Sequence, residues 1–399
     1  MTSARRPYSP SELASIEHGK SLQVAGRVLT ADGAIVIIAD ATGTLRVELQ
    51  APGAYAPGLW LVVEGILTAN GVVHARMVAT SAGSYSSVGE FQRFARIGKS
   101  LHARQTARQA VREYFTEQGF LEVETPTRVY APGTDVYLEP VPSGDHWLIT
   151  SPEFHLKRLL VGGCPRVFEF ARCFREDEQG PWHESEFTLL EWYRSFEAYA
   201  SVMTDTERLI EAVRRALQTS QSIHVAGYAV DLCPPFERLT TREVFTRYAG
   251  VEDVVALAAN DETRYFETWL NDVEPALASL GRPVFVTEFP LSQAALARPT
   301  AGDPETAERF ELFVGPVELC NGYGELQCPR QQRSRFEHDL HRRAEQNHPR
   351  LPIDEPFLSA LEEGLPPAAG NALGFDRLLA LLLQQPIQSV ITFPHSTQP

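Results

Sequence analysis

The sequence predicts an α+β fold: a mainly antiparallel sheet with helical cover, preceded by a small all-β barrel. Three observations point to it. Short β-branched runs crowd the segment from Ser21 to Gly83, with a turn signal between each pair. Beyond Leu101, strand-like runs are irregularly spaced among helical stretches, unlike an alternating βαβ chain. The 399 residues, 43% of them hydrophobic, are enough for more than one core.

Residues 1–20 are polar and proline-bearing and read as a loose arm. The β-branched runs are Leu22–Leu29, Ala34–Asp40, Thr44–Leu49, Leu59–Leu67 and Val72–Val78. Asp32-Gly33, Thr42-Gly43, Pro57-Gly58 and Asn70-Gly71 divide them. Five strands in so short a segment suit a closed barrel of the OB type over 21–83; a sandwich fragment is the alternative. Residues 84–100 read as a Ser/Gly-rich linker, and 101–399 as the main domain. From Leu101 to Gln118, Ala107, Ala110, Val111, Tyr114 and Phe115 fall at helical spacing, and Gly119 stops the helix. Leu121–Pro126 alternates and ends in proline, an edge-strand signal. Further strands are expected at His146–Thr150, Val167–Phe170, Glu186–Tyr193, Val284–Glu288 and Glu311–Val314. Residues 199–280 read as mainly helical, and 330–365 as a polar, Arg-rich helical stretch.

A net charge of −15 argues against a protein that grips nucleic acid by phosphate neutralisation over a broad face. It leaves a local basic patch, or a basic protein partner, open. The five cysteines form no CxxC pair, so reduced thiols in the cytoplasm are expected and a zinc site is not. No apolar run is long enough to span a membrane, and the N-terminus lacks the apolar core of a secretion signal.

Three constellations carry chemistry. In Phe174-Arg175-Glu176-Asp177-Glu178…His183-Glu-Ser-Glu186-Phe187…Glu191-Trp192-Tyr193, a strand ends in arginine, a polar turn follows, and a second strand opens on Glu-Phe. A guanidinium there suits a phosphate, and Phe187 offers a flat surface for a base. In Glu311-Leu-Phe-Val-Gly-Pro-Val-Glu318-Leu-Cys-Asn321-Gly-Tyr-Gly-Glu325, carboxylates and an amide alternate with apolar and glycine residues. They suit Mg²⁺ bridging phosphates, or an ammonium group; a solvated acidic loop is the alternative. In Gly370-Asn-Ala372-Leu-Gly374-Phe-Asp376-Arg377, small residues run along a strand into an apolar helix. They permit close approach of a ligand, with Arg377 at the helix start.

Together these residues resemble class II aminoacyl-tRNA synthetases of the lysyl type, with motif 1 around Gly119–Pro126, motif 2 over 174–194 and motif 3 over 370–383. Thr150-Ser-Pro-Glu-Phe-His-Leu-Lys-Arg-Leu-Leu-Val-Gly-Gly-Cys164, Phe289–Arg298, Ala307–Glu311 and Glu318–Leu326 are most similar to the elongation factor P lysine ligases. The resemblance covers roughly 100–399. It implies a class II antiparallel sheet, ATP and Mg²⁺ as co-reactants, and a homodimer through motif 1. It implies that Arg175 holds the α-phosphate, with Asp177 beside it in the nucleotide site, and that Phe187 stacks on adenine. His183 and Arg377 would reach the β- and γ-phosphates, and Glu311 and Glu318 would hold Mg²⁺. Glu153 and Glu191 would face the substrate amino group, Asn321 its carboxylate, and Glu325 and Tyr193 its ε-ammonium. Ala372, where lysyl-tRNA synthetases have glycine, is associated with accepting a β-amino acid.

The resemblance implies adenylation of lysine or (R)-β-lysine and transfer to a lysine of elongation factor P. Charging of tRNA is the alternative, favoured by the barrel alone, and a non-catalytic paralogue is a third. The chain departs from the family pattern in three places. Pro181-Trp182 stands where an arginine usually precedes His183, Asp177 replaces a glutamate, and Cys320 and Gly324 replace commoner residues.

Overall fold

A computed structural model describes residues 7–40, 43–81, 90–176 and 178–394, with only the backbone over 90–96. Two compact units divide within one helix, Met1–His102 and Ala103–Pro399.

The first unit is the barrel expected from the sequence. Strands β1 (Ser21–Asp32), β2 (Ile35–Ala39), β3 (Thr44–Leu49), β4 (Trp60–Thr68) and β5 (Gly71–Ser81) close in the order β1-β2-β3-β5-β4. β3 and β5 pair parallel, and the other neighbours are antiparallel. Period-two alternation sends Val24, Val28, Val36, Ile38, Val47, Leu61, Val63 and Val72 inward, where each is fully buried. Trp60 is 39% exposed, with the Arg27 guanidinium 5.2 Å from its ring centre.

Helix α1 (Glu90–Glu117) starts well before Leu101, so the stretch read as a linker is helical from residue 90. Residues 90–100 contain no proline and one glycine, and a lone glycine costs a helix only about 1 kcal/mol.

The second unit is built on an antiparallel sheet. In chain order its parts are β6 (Leu121–Glu122), α2 (Glu153–Val161), β7 (Arg166–Phe174), β8 (Glu186–Ser195), α3 (Tyr199–Leu217) and β9 (Glu237–Thr240). Then follow β10 (Val284–Pro290), β11 (Asp303–Val314), β12 (Val317–Gly324), α4 (Pro329–Glu345), α5 (Glu355–Gly364), β13 (Ala368–Gly374) and α6 (Phe375–Leu383). The strand order is β9-β10-β11-β12-β13-β8-β7-β6, with the short Pro299–Thr300 strand paired to β11. Only the outer pairs β9·β10 and β6·β7 are parallel. The Leu121 strand does lie at the edge.

Between 199 and 280 the helical reading needs correction. Ser222–Val225 and Tyr228–Asp231 form a hairpin, and Glu237–Thr240 joins the sheet. These runs are too short to outweigh the helical stretches on either side. One face of the sheet packs on α1, α3 and α6 through Val111, Phe115, Leu209, Val213 and Leu378 among others. The opposite face carries a cavity of about 610 Å³.

Candidate active site

Register assembles the site. Glu191 on β8 is the Cα partner of Ala372 on β13, Ala372 of Asn321 on β12, and Asn321 of Glu311 on β11. One rung thus crosses four adjacent strands, spaced about 4.8 Å apart, with its side chains on one face. Glu318 joins them through a β-bulge. Leu312 pairs with Cys320 but Phe313 pairs with Glu318, leaving Leu319 as the extra residue. That shift reverses the alternation and places Glu318 on the face of Glu311.

The cavity is lined by Glu153, Arg175, His183, Phe187, Glu191, Tyr193, Glu311, Glu318, Asn321, Ala372 and Arg377, all expected from the sequence. Glu325 is expected too, but it is fully buried and lies outside the lining. Asp177 falls outside the described residues.

At one end the groups suit phosphates and a base. Arg175 follows β7, its amide donating to the Ser185 carbonyl at 2.9 Å, and its guanidinium lies 5.0 Å from the Phe187 ring centre. Its buried Nε has no hydrogen-bond partner among the described residues. Arg377, in the first turn of α6, donates to the main-chain carbonyls of Glu318 (2.7 Å) and Trp182 (3.1 Å). Burial, and next the charge of Arg377, lowers the His183 pKa, favouring the neutral ring. Glu311 bonds Arg309 at 2.5 Å, yet burial pushes its carboxyl up to about 7, with the like charge of Glu318 adding to the rise. Two carboxylates that oppose each other's ionisation fit a hard divalent cation shared with phosphate oxygens.

The other end is acidic. Glu191 is almost wholly buried, accepting from Tyr193 Oη at 2.6 Å and Ser151 Oγ at 2.8 Å. Burial, and after it the charge of Glu153, pushes this carboxyl up to about 8, against the two hydrogen bonds that favour its ionised form. Ser151 Oγ also accepts the Glu153 amide at 3.1 Å, at the start of α2. One turn on, Lys157 Nζ lies 2.5 Å from Glu153 Oε1 and 2.5 Å from Glu325 Oε2. The Asn321 side-chain oxygen is buried without a hydrogen-bond partner among the described residues, an open polar position on the rung.

Sequence reading left four contributors without a role. Ser151 and Lys157 flank Glu153 in Ser151-Pro-Glu-Phe-His-Leu-Lys157, where the Glu-to-Lys spacing of four was the available signal. Arg309 binds Glu311. Asp376 ties α6 to the sheet, accepting the Thr188 amide at 2.6 Å and Arg104 at 2.5 Å. The glycine at 324 also finds its reason: a Cβ there would lie 2.2 Å from Glu308 Oε2, which pairs with Arg298 at 2.6 Å. Cys320 is buried on the cavity wall.

Residues 90–397 match the family model described as tRNA synthetases class II (D, K and N). The barrel strands precede the matched segment. The elongation factor P–(R)-β-lysine ligase of Vibrio cholerae serotype O1 is 35% identical over 308 residues, covering 74% of this chain and 94% of that protein. With the rung, the arginines and the carboxylates on one sheet face, the chain belongs to the class II aminoacyl-tRNA synthetase family of the D, K and N type.

Proposed function

We propose that this protein is a ligase that activates (R)-β-lysine or lysine with ATP and transfers it to a lysine side chain of an elongation factor P-type protein. One observation carries the reading. The rung Glu191–Ala372–Asn321–Glu311 joins an ammonium-seeking end to a phosphate-seeking end on a single sheet face. The similarity to a protein ligase over most of both chains supports the acceptor.

In the first step the substrate carboxylate attacks the α-phosphorus in line, a P–O bond forms, and pyrophosphate departs. Arg175 meets the α-phosphate bidentately, Phe187 stacks on adenine, and His183 and Arg377 meet the β- and γ-phosphates. Asp177 belongs to the same nucleotide subsite. Glu311 and Glu318 would hold Mg²⁺, which when bound offsets the phosphate charge. Asn321 orients the substrate carboxylate, while Glu153, Glu191 and Tyr193 receive its ammonium groups, with Glu325 behind them. In the second step the acceptor amine attacks the acyl carbon, an amide forms, and AMP leaves. The protein acts as a cytoplasmic homodimer paired through motif 1, with a body over 101–399 and the barrel at 21–83 joined through 84–100. The loose arm expected at 1–20 is corrected for its described part, where Pro10–Ser15 form a short helix and Leu13 is buried in the barrel core. Among the described residues, no helix is long and apolar enough to cross a membrane.

Transfer to tRNA is the competing outcome. β2 and β3 carry no aromatic platform for unstacked bases. On the same barrel Arg46 and Arg76 are paired with Glu48 (3.3 Å) and Glu64 (2.7 Å). The test offers labelled amino acid, ATP and both acceptors in one reaction. Label on the protein acceptor is expected; label on tRNA at moderate salt, with none on protein, overturns the reading.

A further inference from the structure

Among the charged side chains of the second unit, Lys157 occupies an unusual place. It is 2% exposed and sits on α2 beside an apolar cluster of Leu156, Leu160, Phe336, Phe357 and Leu361. Its ammonium contacts two carboxylates on opposite sides of the cavity wall: Glu153, which lines the cavity, and Glu325, which is sealed behind it. Glu325 is fixed from its own main chain, its amide donating to the Ala368 carbonyl at 2.9 Å. The Tyr193 ring stands on a further side, its centre 6.0 Å from Nζ.

A buried lysine–glutamate pair is an expensive way to fill a core. Taking two charges out of water offsets most of their attraction, and an apolar pair of similar volume is often as stable or more so. Burial here works against the charged lysine, and the two glutamates raise its pKa above the ordinary value nonetheless. The charge is therefore held in place at some cost, one helical turn from a cavity-lining carboxylate.

We propose that Lys157 is a positioning residue for the amino-acid end of the site: clamped by the sealed Glu325, its ammonium aims the Glu153 carboxylate at the cavity. Two carboxylates and one ammonium leave one net negative charge, which matches one ammonium of an incoming diamino acid. The second substrate ammonium is left to Glu191 and Tyr193. Lys157 so gives the fully buried Glu325 a route to the cavity through Glu153. This inference rests on the lysine-like substrate proposed above.

The test measures ATP–pyrophosphate exchange as a function of β-lysine and, separately, of ATP, in wild type, Lys157→Met and Lys157→Arg. Lys157→Met is expected to raise the KM for β-lysine at least tenfold and leave that for ATP within twofold, and Lys157→Arg to recover part of the loss. A folded Lys157→Met with unchanged β-lysine KM, or with both KM values raised alike, overturns the proposal. Should Lys157→Met fail to fold by circular dichroism, Glu325→Gln takes its place with the same expected split, and an unaltered β-lysine KM in it overturns the proposal equally. Wild-type protein that exchanges with no lysine-like amino acid removes the functional reading and this inference with it; normal wild-type exchange with unaffected variants removes the inference alone.

Discussion

The Arg377 guanidinium donates to the main-chain carbonyl of Glu318 at 2.7 Å, joining the start of α6 to the strand that carries one of the two cavity carboxylates. In the proposed reaction a terminal phosphate would share or displace that bond.

Arg175→Ala and Arg377→Ala should each reduce ATP–pyrophosphate exchange about a hundredfold or more. Loss of a fixed donor from a charge developing in the transition state costs roughly 3 kcal/mol. Near-normal exchange in both variants would remove these arginines from the phosphate site.

The pH dependence centres on Glu191. Its folded pKa is raised to about 8 from an ordinary 4.5. The unfolded carboxyl ionises first as pH rises, so the contribution to stability is fully present below about 4.5 and is lost as pH climbs to about 8. Glu191→Gln, which mimics the neutral acid, should flatten the fall in melting temperature across that window. In the active enzyme, the KM for the amino acid should drop as pH approaches 8, because an ammonium binds better once Glu191 has lost its proton. A variant whose melting curve keeps the wild-type pH slope would exclude Glu191 as its source.

Much of the fold was readable from residues in isolation, because alternation and turn pairs mark the barrel strands without reference to the rest of the chain. β12 was harder. No strand was expected there, since its glycines and carboxylates serve the cavity and close packing and not strand propensity. The cavity-lining residues were legible as a set through resemblance, yet the rung that aligns four of them depends on pairings between distant segments that no local pattern encodes. Lys157 stayed hidden for the same reason: its partner Glu325 lies far along the chain.

Ala372 places a methyl group between Glu191 and Asn321 on the rung. Ala372→Gly should therefore improve kcat/KM for α-lysine relative to β-lysine about five- to tenfold, corresponding to roughly 1 kcal/mol for a single methyl contact. Measuring both specificity constants decides the point, and an unchanged ratio would move selectivity elsewhere, Cys320 being the nearest cavity-wall departure.

Asp376→Asn should destabilise the second unit by about 3 kcal/mol in chemical denaturation. It leaves Arg104, 14% exposed, without its carboxylate partner and weakens the bond to the Thr188 amide. Loss below about 1 kcal/mol would show that α6 is held by its apolar face alone.

The bulge at Leu319 makes the phosphate end a matter of counting. Glu311 and Glu318 sit on neighbouring strands joined by a tight turn, and only the odd extra residue puts both carboxylates on the same side. Pairing Leu319 regularly with Phe313 would leave every side chain chemically intact and would still send Glu318 toward the helical core while Glu311 stayed in the cavity. The place of Glu318 is thus written in the register between two strands, where a one-residue slip would be more damaging than most substitutions.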